Sequence, residues 1–345
     1  MIRIGVIGYG YWGPNLVRNV VETPGAELAG VSDLRAERLK LAQTRHPTAQ
    51  MTESHRQLIE DPAVDAIAIA TPVSTHYELA LAALRAGKHV LVEKPLTAST
   101  EQALRLVEAA QKAGRVLMVD HTFVYTPAVR KIRELVDTAA VGDVYYYDST
   151  RVNLGLFQHD VNVLWDLAIH DLSIIDHVLP RKPVAVSTTG LSHVPGRSEN
   201  IAFLTLFFDS PVIAHIHVNW LAPVKIRRTL IGASKKMIVY DDMEPSEKIK
   251  IYDRGITLSP KQTREEIYEL MVGYRAGDMH APNLEVTEAL RTELSHFVKC
   301  IEGGTTPITD GEAGLRIVRI LEAASESMRM RGEPVQLGNG RATHA

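Results

Sequence analysis

The chain is 345 residues long, with 38 Lys and Arg against 41 Asp and Glu, 45% apolar and 6% aromatic residues, 23 Gly and 17 Pro. That length is about twice a common domain of ~100–200 residues, so two cores are expected, and a net charge of −3 excludes the broad basic surface that would hold a nucleic-acid backbone. The single cysteine, Cys300, excludes an intramolecular disulfide and a Cys-rich zinc site.

The first residues, Ile2 to Gly8, lack the charged head and long apolar stretch of an export signal, and no apolar run approaches the ~20 residues of a membrane helix. A cytoplasmic protein without a membrane partner is expected. Short apolar runs at 3–8, 27–32, 65–70, 89–93 and 116–120 read as strands buried on both faces. Helical patterns at 34–45, 77–85 and 100–113 lie between them and end near Pro47, Gly87 and Gly114. Ser99 and Gln102 have the spacing of a capping box. Strand and helix alternating in this way predict an α/β domain with a parallel sheet and right-handed crossovers, here assigned to residues 1–121.

After about residue 140 the texture changes, and residues 122–345 are assigned to a second domain. Strand-like runs at 144–152, 184–191, 201–208, 212–220, 227–232, 237–241 and 248–252 predict an α+β domain with a large mixed, mainly antiparallel sheet. Helical segments at 166–178, 285–302 and 310–329 accompany it, and the irregular stretch 258–284 reads as a loop over a site or interface. The run 212–220 alternates Ala214, Ile216, Val218 and Trp220 with His215, His217 and Asn219, as a half-solvated strand does. The run 201–208 is apolar on both faces, so a second subunit is expected to cover one of them; a third layer within the chain is the other reading.

Gly8-Tyr9-Gly10-Tyr11-Trp12-Gly13 follows the first strand and opens a helix at Pro14. Gly8 permits a tight turn, Gly10 lets a pyrophosphate approach the backbone, and Gly13 lets helix and strand pack closely. Asp33 lies where an acidic residue would accept the ribose hydroxyls and repel a 2′-phosphate, which favours NAD over NADP. Arg35 works against that preference, because its guanidinium could pair with the phosphate. A turn Asp capping the next helix is an alternative role for Asp33.

With Gly8 to Gly13, the segment Ala70-Thr71-Pro72-Val73-Ser74-Thr75-His76, the run from Ala86 to Glu93-Lys94-Pro95, and Trp165 to Leu172, the chain resembles the glucose-fructose oxidoreductase / inositol dehydrogenase (Gfo/Idh/MocA) family over nearly its whole length. The resemblance implies an NAD-dependent dehydrogenase acting on CH–OH. Its Glu-Lys-Pro lysine and Asp-x-x-x-His pair become Lys94, Asp166 and His170, which line the reacting carbon in that family. An imidazole is suited to taking a hydroxyl proton, and an ammonium to stabilising alkoxide charge, so His170 is assigned as base and Lys94 as electrostatic partner. Asp166 and His170 are four apart and share a face if their segment is helical. The family also commonly has a cis peptide before the motif proline, here Pro95.

Further cofactor contacts implied are Tyr11, Trp12, Thr71, Pro72, His76 and Glu93. Further substrate contacts are Tyr125, Arg151, Asn153 and His159, with ordinary loop or cap roles as the alternatives. Asp171 is assigned a supporting role. A metal site from His159, His170 and Asp171 is conceivable, but the family pattern needs no metal. Gly8 to Asn15, Asn153-Leu154-Gly155, Tyr274-Arg275-x-Gly277-Asp278 and Glu288-Ala289-Leu290 resemble a nucleotide-sugar branch, which implies oxidation of a UDP-N-acetylhexosamine at its 3-position. A free-sugar or inositol dehydrogenase, and an NAD-binding sensor without turnover, are the competing readings. A homo-oligomer, dimer or tetramer, is expected to form through the second-domain sheet.

Overall fold

The computed structural model describes residues 1–155, 161–253 and 277–338, and the backbone alone of 255–258 and 272–275. The chain divides into two compact units, Met1–Thr126 with Val286–Glu322, and Pro127–Glu285 with Ala323–Ala345. The first begins as β1 (Ile2–Ile7), α1 (Gly13–Glu22), β2 (Ala26–Ser32), α2 (Ala36–Arg45), β3 (Gln50–Thr52) and α3 (His55–Glu60). It continues as β4 (Ala66–Ile69), α4 (Val73–Arg85), β5 (His89–Glu93), α5 (Thr100–Ala113) and β6 (Leu117–Asp120). Six parallel strands in the order β3-β2-β1-β4-β5-β6 make the expected sheet. All four residues of β4 and of β6 are buried, as strands covered on both faces require. The short pair β3 and α3 has too few residues to show a period and so carries no pattern from which to expect it. Ser99 caps α5, its hydroxyl accepting from the Gln102 amide at 3.3 Å, and Gly114 ends the helix in the left-handed conformation.

The second unit contains α6 (Pro127–Asp137), β7 (Val144–Leu154), a π-helical turn at Leu164–Ala168, α7 (Ile169–Val178), β8 (Pro183–Leu191), β9 (Ile201–Phe208) and β10 (Ile213–Asn219). Then come β11 (Leu221–Ala233), β12 (Met237–Asp241), β13 (Ile249–Tyr252), β14 (Gly255–Leu258), β15 (Val272–Arg275) and β16 (Met279–His280). The chain closes with α8 (Ala289–Gly303), α9 (Gly311–Arg329) and β17 (Val335–Gln336). The nine-stranded sheet runs β16-β13-β12-β11-β7-β10-β9-β8-β17 and is antiparallel except for β10 against β7, the mixed sheet expected. Burial alternates along β9, with Ala202, Leu204 and Leu206 buried while Phe203 and Phe207 remain 40% and 37% exposed. The expected loop at 258–284 falls largely outside the described residues.

Helix α8 returns to the first unit, so that unit does not follow a single cut at residue 121. Leu290, Leu294, Phe297 and Val298 pack in one core cluster with Leu16, Val17 and Val20 of α1. Arg18 of α1 pairs with Glu288 at 2.5 Å, and Asn19 donates to the same carboxylate. No helix of the described residues is long and apolar enough to cross a membrane.

His89 sits at the start of β5, where its Nδ1 accepts the Val116 amide at 3.0 Å and Arg115 lies beside Nε2. Burial, reinforced by Arg115, lowers its pKa to about 4. The folded state therefore holds fewer protons on this ring than the unfolded chain, and stability falls as pH drops from about 6.5 towards about 4. NMR titration of the ring is expected to give a midpoint near 4, with loss of the Val116 amide bond on protonation.

Candidate active site

The turn from β1 into α1 is built around its glycines. Gly8 has φ +99, and a Cβ on it would lie 2.5 Å from the Ala70 carbonyl oxygen; a Cβ on Gly13 would lie 2.1 Å from that of Gly8. At Gly10 the nearest atom to such a Cβ is Arg35 Nη2 at 3.5 Å, so this face of the turn is open to an incoming phosphate. The cradle fits a dinucleotide. Asp33, buried at the end of the segment after β2, accepts the Tyr9 amide at 2.7 Å and is gripped by Arg35 through Nε and Nη2, both at 3.0 Å. Burial alone would raise its pKa, but the Arg35 and Tyr9 hydrogen bonds overcome this and hold it below the usual value. Arg35 thus sits directly on the carboxylate in this structure.

The other cofactor candidates divide by environment. Tyr11 is 91% exposed, whereas Trp12 turns inward and donates Nε1 to Asp120 Oδ2 at 2.8 Å. Thr71 accepts a bond from the Thr75 hydroxyl, and Pro72 precedes α4 in an extended conformation. His76 is buried and bridges two loops, with Nδ1 2.8 Å from the Pro95 carbonyl and Nε2 2.8 Å from that of Thr71. Glu93 ends β5, and the Lys94–Pro95 bond that follows is cis. Lys94 is half-buried at this carboxyl edge of the sheet, the side on which open α/β sheets bind ligands.

In the second unit Asp166 lies in the π-helical turn and His170 in the first turn of α7, so the two are not on one uniform α-helix. Such local widening is frequent at functional sites. Both residues are half-buried, and the indole of Trp220 donates to Asp166 Oδ2 at 3.0 Å. Trp220 is itself buried, and a Cβ on Gly155 would come within 2.4 Å of its ring. Arg151 is buried on β7 with its guanidinium on Asp171, Nε to Oδ2 at 2.6 Å. Asn153 is half-buried on the same strand. Tyr125 is in the first unit, buried, with its hydroxyl 3.0 Å from Thr309 Oγ1. His159 and the side chains of Tyr274 and Arg275 lie outside the described residues. Among the described residues no group of His, Cys, Asp or Glu is arranged to hold a metal ion.

Three residues tied to this machinery escaped the sequence reading: Asp120, Trp220 and Glu293. Asp120 shares the carboxyl edge with Glu93, its paired residue in the sheet, and that placement was a usable signal. Glu293 lies three after Leu290 and four before Phe297, an acid on the apolar stripe of α8.

A glycine cradle on the first strand of a parallel sheet, with a lysine at the edge of β5, defines a nicotinamide-dinucleotide oxidoreductase. The chain belongs to the Gfo/Idh/MocA oxidoreductase family: its NAD-binding Rossmann-fold model matches residues 2–121, and its C-terminal alpha/beta domain model matches 133–337. The protein is thus a dehydrogenase of the sugar- and inositol-oxidising kind, with NAD as its cofactor. It is similar to the scyllo-inositol 2-dehydrogenase (NAD(+)) of Bacillus subtilis, with 28% identity over 99% of this chain and 98% of the relative. The inositol 2-dehydrogenase 2 of Saccharopolyspora erythraea is 31% identical over 95% of this chain and 93% of its own. The UDP-N-acetylglucosamine 3-dehydrogenase of Acidithiobacillus ferrooxidans is 29% identical over 92% of this chain and 94% of its own. Its solved structure superposes with a TM-score of 0.81, covering 95% of this chain and 98% of that one at 27% identity.

The Arg151–Asp171 pair gives a stability prediction. Removing one member of a buried pair strands the other charge, so Arg151→Met is expected to destabilise the fold by about 3–5 kcal/mol, measured by urea unfolding.

Proposed function

We propose that the protein oxidises a secondary ring hydroxyl of a sugar, with a UDP-N-acetylhexosamine oxidised at its 3-position as the leading substrate, using Lys94, Asp166 and His170. The observation that carries this reading is the retention of all three chemistry-bearing residues on the family scaffold, Lys94 at the edge of β5, Asp166 in the π-helical turn and His170 in the first turn of α7. His170 removes the hydroxyl proton and returns it in the reverse direction. Lys94 places an ammonium by the substrate oxygen and stabilises developing alkoxide charge. Asp166, its carboxylate oriented by the Trp220 indole, accepts a hydrogen bond from the substrate and fixes its pose. The nicotinamide, when bound, accepts the hydride leaving the same carbon.

Support for a nucleotide sugar comes from the named Acidithiobacillus relative. The two inositol dehydrogenases match at similar identity and favour the second reading, a free polyol. Two segments behind the nucleotide-sugar assignment also have packing roles, Gly155 against Trp220 and Glu288 against Arg18. A sensor would have no use for a proton-transfer set. Reduced nicotinamide absorbance with a panel of nucleotide sugars, free sugars and inositols tests the substrate, and turnover confined to free polyols would remove the nucleotide sugar. His170→Ala is expected to lower kcat by about 10²–10⁴, and undiminished turnover would sink the mechanism.

We also assign the exposed face of β8, β9 and β10 to a second copy of this chain. Phe203, Phe207 and Ile213 stand there 40%, 37% and 46% exposed, and Phe203 stacks on His217 with ring centroids 4.5 Å apart. Large apolar groups exposed on a sheet face suit an isologous contact, in which each copy offers the same patch. The double change Phe203→Asp with Phe207→Asp is expected to shift the sedimentation coefficient to that of the monomer while leaving far-UV circular dichroism unchanged.

A further inference from the structure

Glu93, Asp120 and Glu293 gather three carboxyl groups inside the first unit, beside the turn that cradles the dinucleotide. Asp120 is almost fully buried; its Oδ2 accepts the Trp12 indole at 2.8 Å and its Oδ1 the Thr122 hydroxyl at 2.5 Å. Glu293 has 0% exposure and projects from α8. Neither of its oxygens has a donor in good hydrogen-bond geometry among the described residues, the His121 amide addressing it only from a poorer one. Glu93 Oε2 is buried in the same condition.

We propose that Glu293 is a positioning residue for the dinucleotide turn: as a neutral carboxylic acid it donates its O–H to Asp120, and the Asp120 carboxylate so fixed holds the Trp12 indole. The inference rests on the turn's role in binding NAD.

A carboxylate offers about four lone-pair sites. Trp12 and Thr122 occupy two of those on Asp120, and the carboxyl groups of Glu93 and Glu293, both directed at Asp120, fill the rest if each keeps its proton. Three ionised carboxyls would instead repel one another in a poorly solvated pocket and leave acceptors facing acceptors. The His121 amide favours the charge of Glu293, but burial and the acids around it outweigh that. Asp120 and Glu93 are acidic, Tyr125 is buried, and His296 and Cys300 lie on its own helix. Lys94 acts on Glu93. Burial first, and Asp120 second, push the pKa of Glu293 and of Glu93 well above the usual carboxyl range.

A raised carboxyl pKa makes the native state hold a proton that the unfolded chain has lost. The wild type should therefore lose stability as pH rises above the unfolded-state value of about 4.3, its unfolding constant growing tenfold per pH unit for each such proton. Glu293→Gln keeps an N–H donor towards Asp120 and has no proton to release. Urea unfolding from pH 5 to pH 8 is expected to show a slope reduced by one proton in Glu293→Gln, which becomes the more stable protein as pH rises. Glu293→Leu removes the donor, and its NAD affinity, read by isothermal titration calorimetry, is expected to fall about tenfold, while Glu293→Gln restores binding to within about twofold of wild type. An unchanged slope in Glu293→Gln would show Glu293 ionised in the fold and overturn the proposal. Wild-type affinity in Glu293→Leu, or equal losses in both variants, would overturn the positioning role. Where Glu293→Leu fails to fold, the Glu293→Gln slope still decides. Wild-type protein that bound no NAD would instead defeat the dinucleotide assignment and leave the slope as a separate result.

Discussion

At Gly13 there is room for a hydrogen and nothing larger, because a Cβ would stand 2.1 Å from the Gly8 carbonyl oxygen. This close approach lets α1 begin directly against the end of β1, with the Asn15 amide on the Trp12 carbonyl at 2.8 Å. A turn this rich in glycine has little side-chain substance to hold itself in one conformation. It is held from outside by two carboxylates: Asp33 takes the Tyr9 amide and Asp120 takes the Trp12 indole. Those anchors come from the chain after β2 and from the end of β6, on opposite sides of β1 in the sheet order. The carboxyl edge of the sheet thus supplies both the place for a dinucleotide and the groups that keep the place in shape.

The second unit meets a similar demand with different donors. Arg151 and Asp171 tie β7 to α7 through a buried pair, and Trp220 ties the chain after β10 to Asp166. Neither donor can be exchanged lightly. A guanidinium presents a planar fork that matches a carboxylate, and an indole offers a single N–H whose direction is set by the packing of the ring. Gly155 completes the second arrangement by letting backbone lie against that ring, with its own amide on the Trp220 carbonyl at 2.9 Å. Asp166 is held in the π-helical turn by these contacts, where α-helical spacing alone does not describe its relation to His170.

Where chemistry is local in the chain, the sequence was legible. Gly8 to Gly13 announces its turn because each glycine answers a local steric need, and the strands of the first sheet show as apolar runs because both faces are covered. Thr100–Ala113 was readable to the residue, with Ser99 and Gly114 marking its ends. Asp33 was found by spacing, but its grip by Arg35 was not, since the spacing is equally compatible with either arrangement of the guanidinium. The run 201–208 illustrates the opposite limit: Phe203 and Phe207 are as apolar as Leu204 and Leu206, and composition does not distinguish a face turned to the core from one turned outward. Asp120 and Glu293 stand 173 positions apart, a separation at which no periodicity can announce a pairing. Helix α6 was missed although Pro127 stands at its first position, where proline is favoured.

The return of α8 changes what the first unit is. Residues 1–121 carry the whole six-stranded sheet, yet the side of α1 that carries Leu16, Val17 and Val20 shares its core with Leu290, Leu294, Phe297 and Val298. The polar contacts repeat the pattern, with Glu288 on Arg18 and Asn19 and Glu293 beside Asp120. The helix that opens the dinucleotide turn is therefore completed by a segment made some 270 residues later. Such long-range closure is paid in chain entropy before the contacts form. The sheet can assemble from neighbouring strand and helix pairs as they appear, whereas the final setting of α1, and with it the cradle it opens, waits for the chain to pass through the second unit and come back.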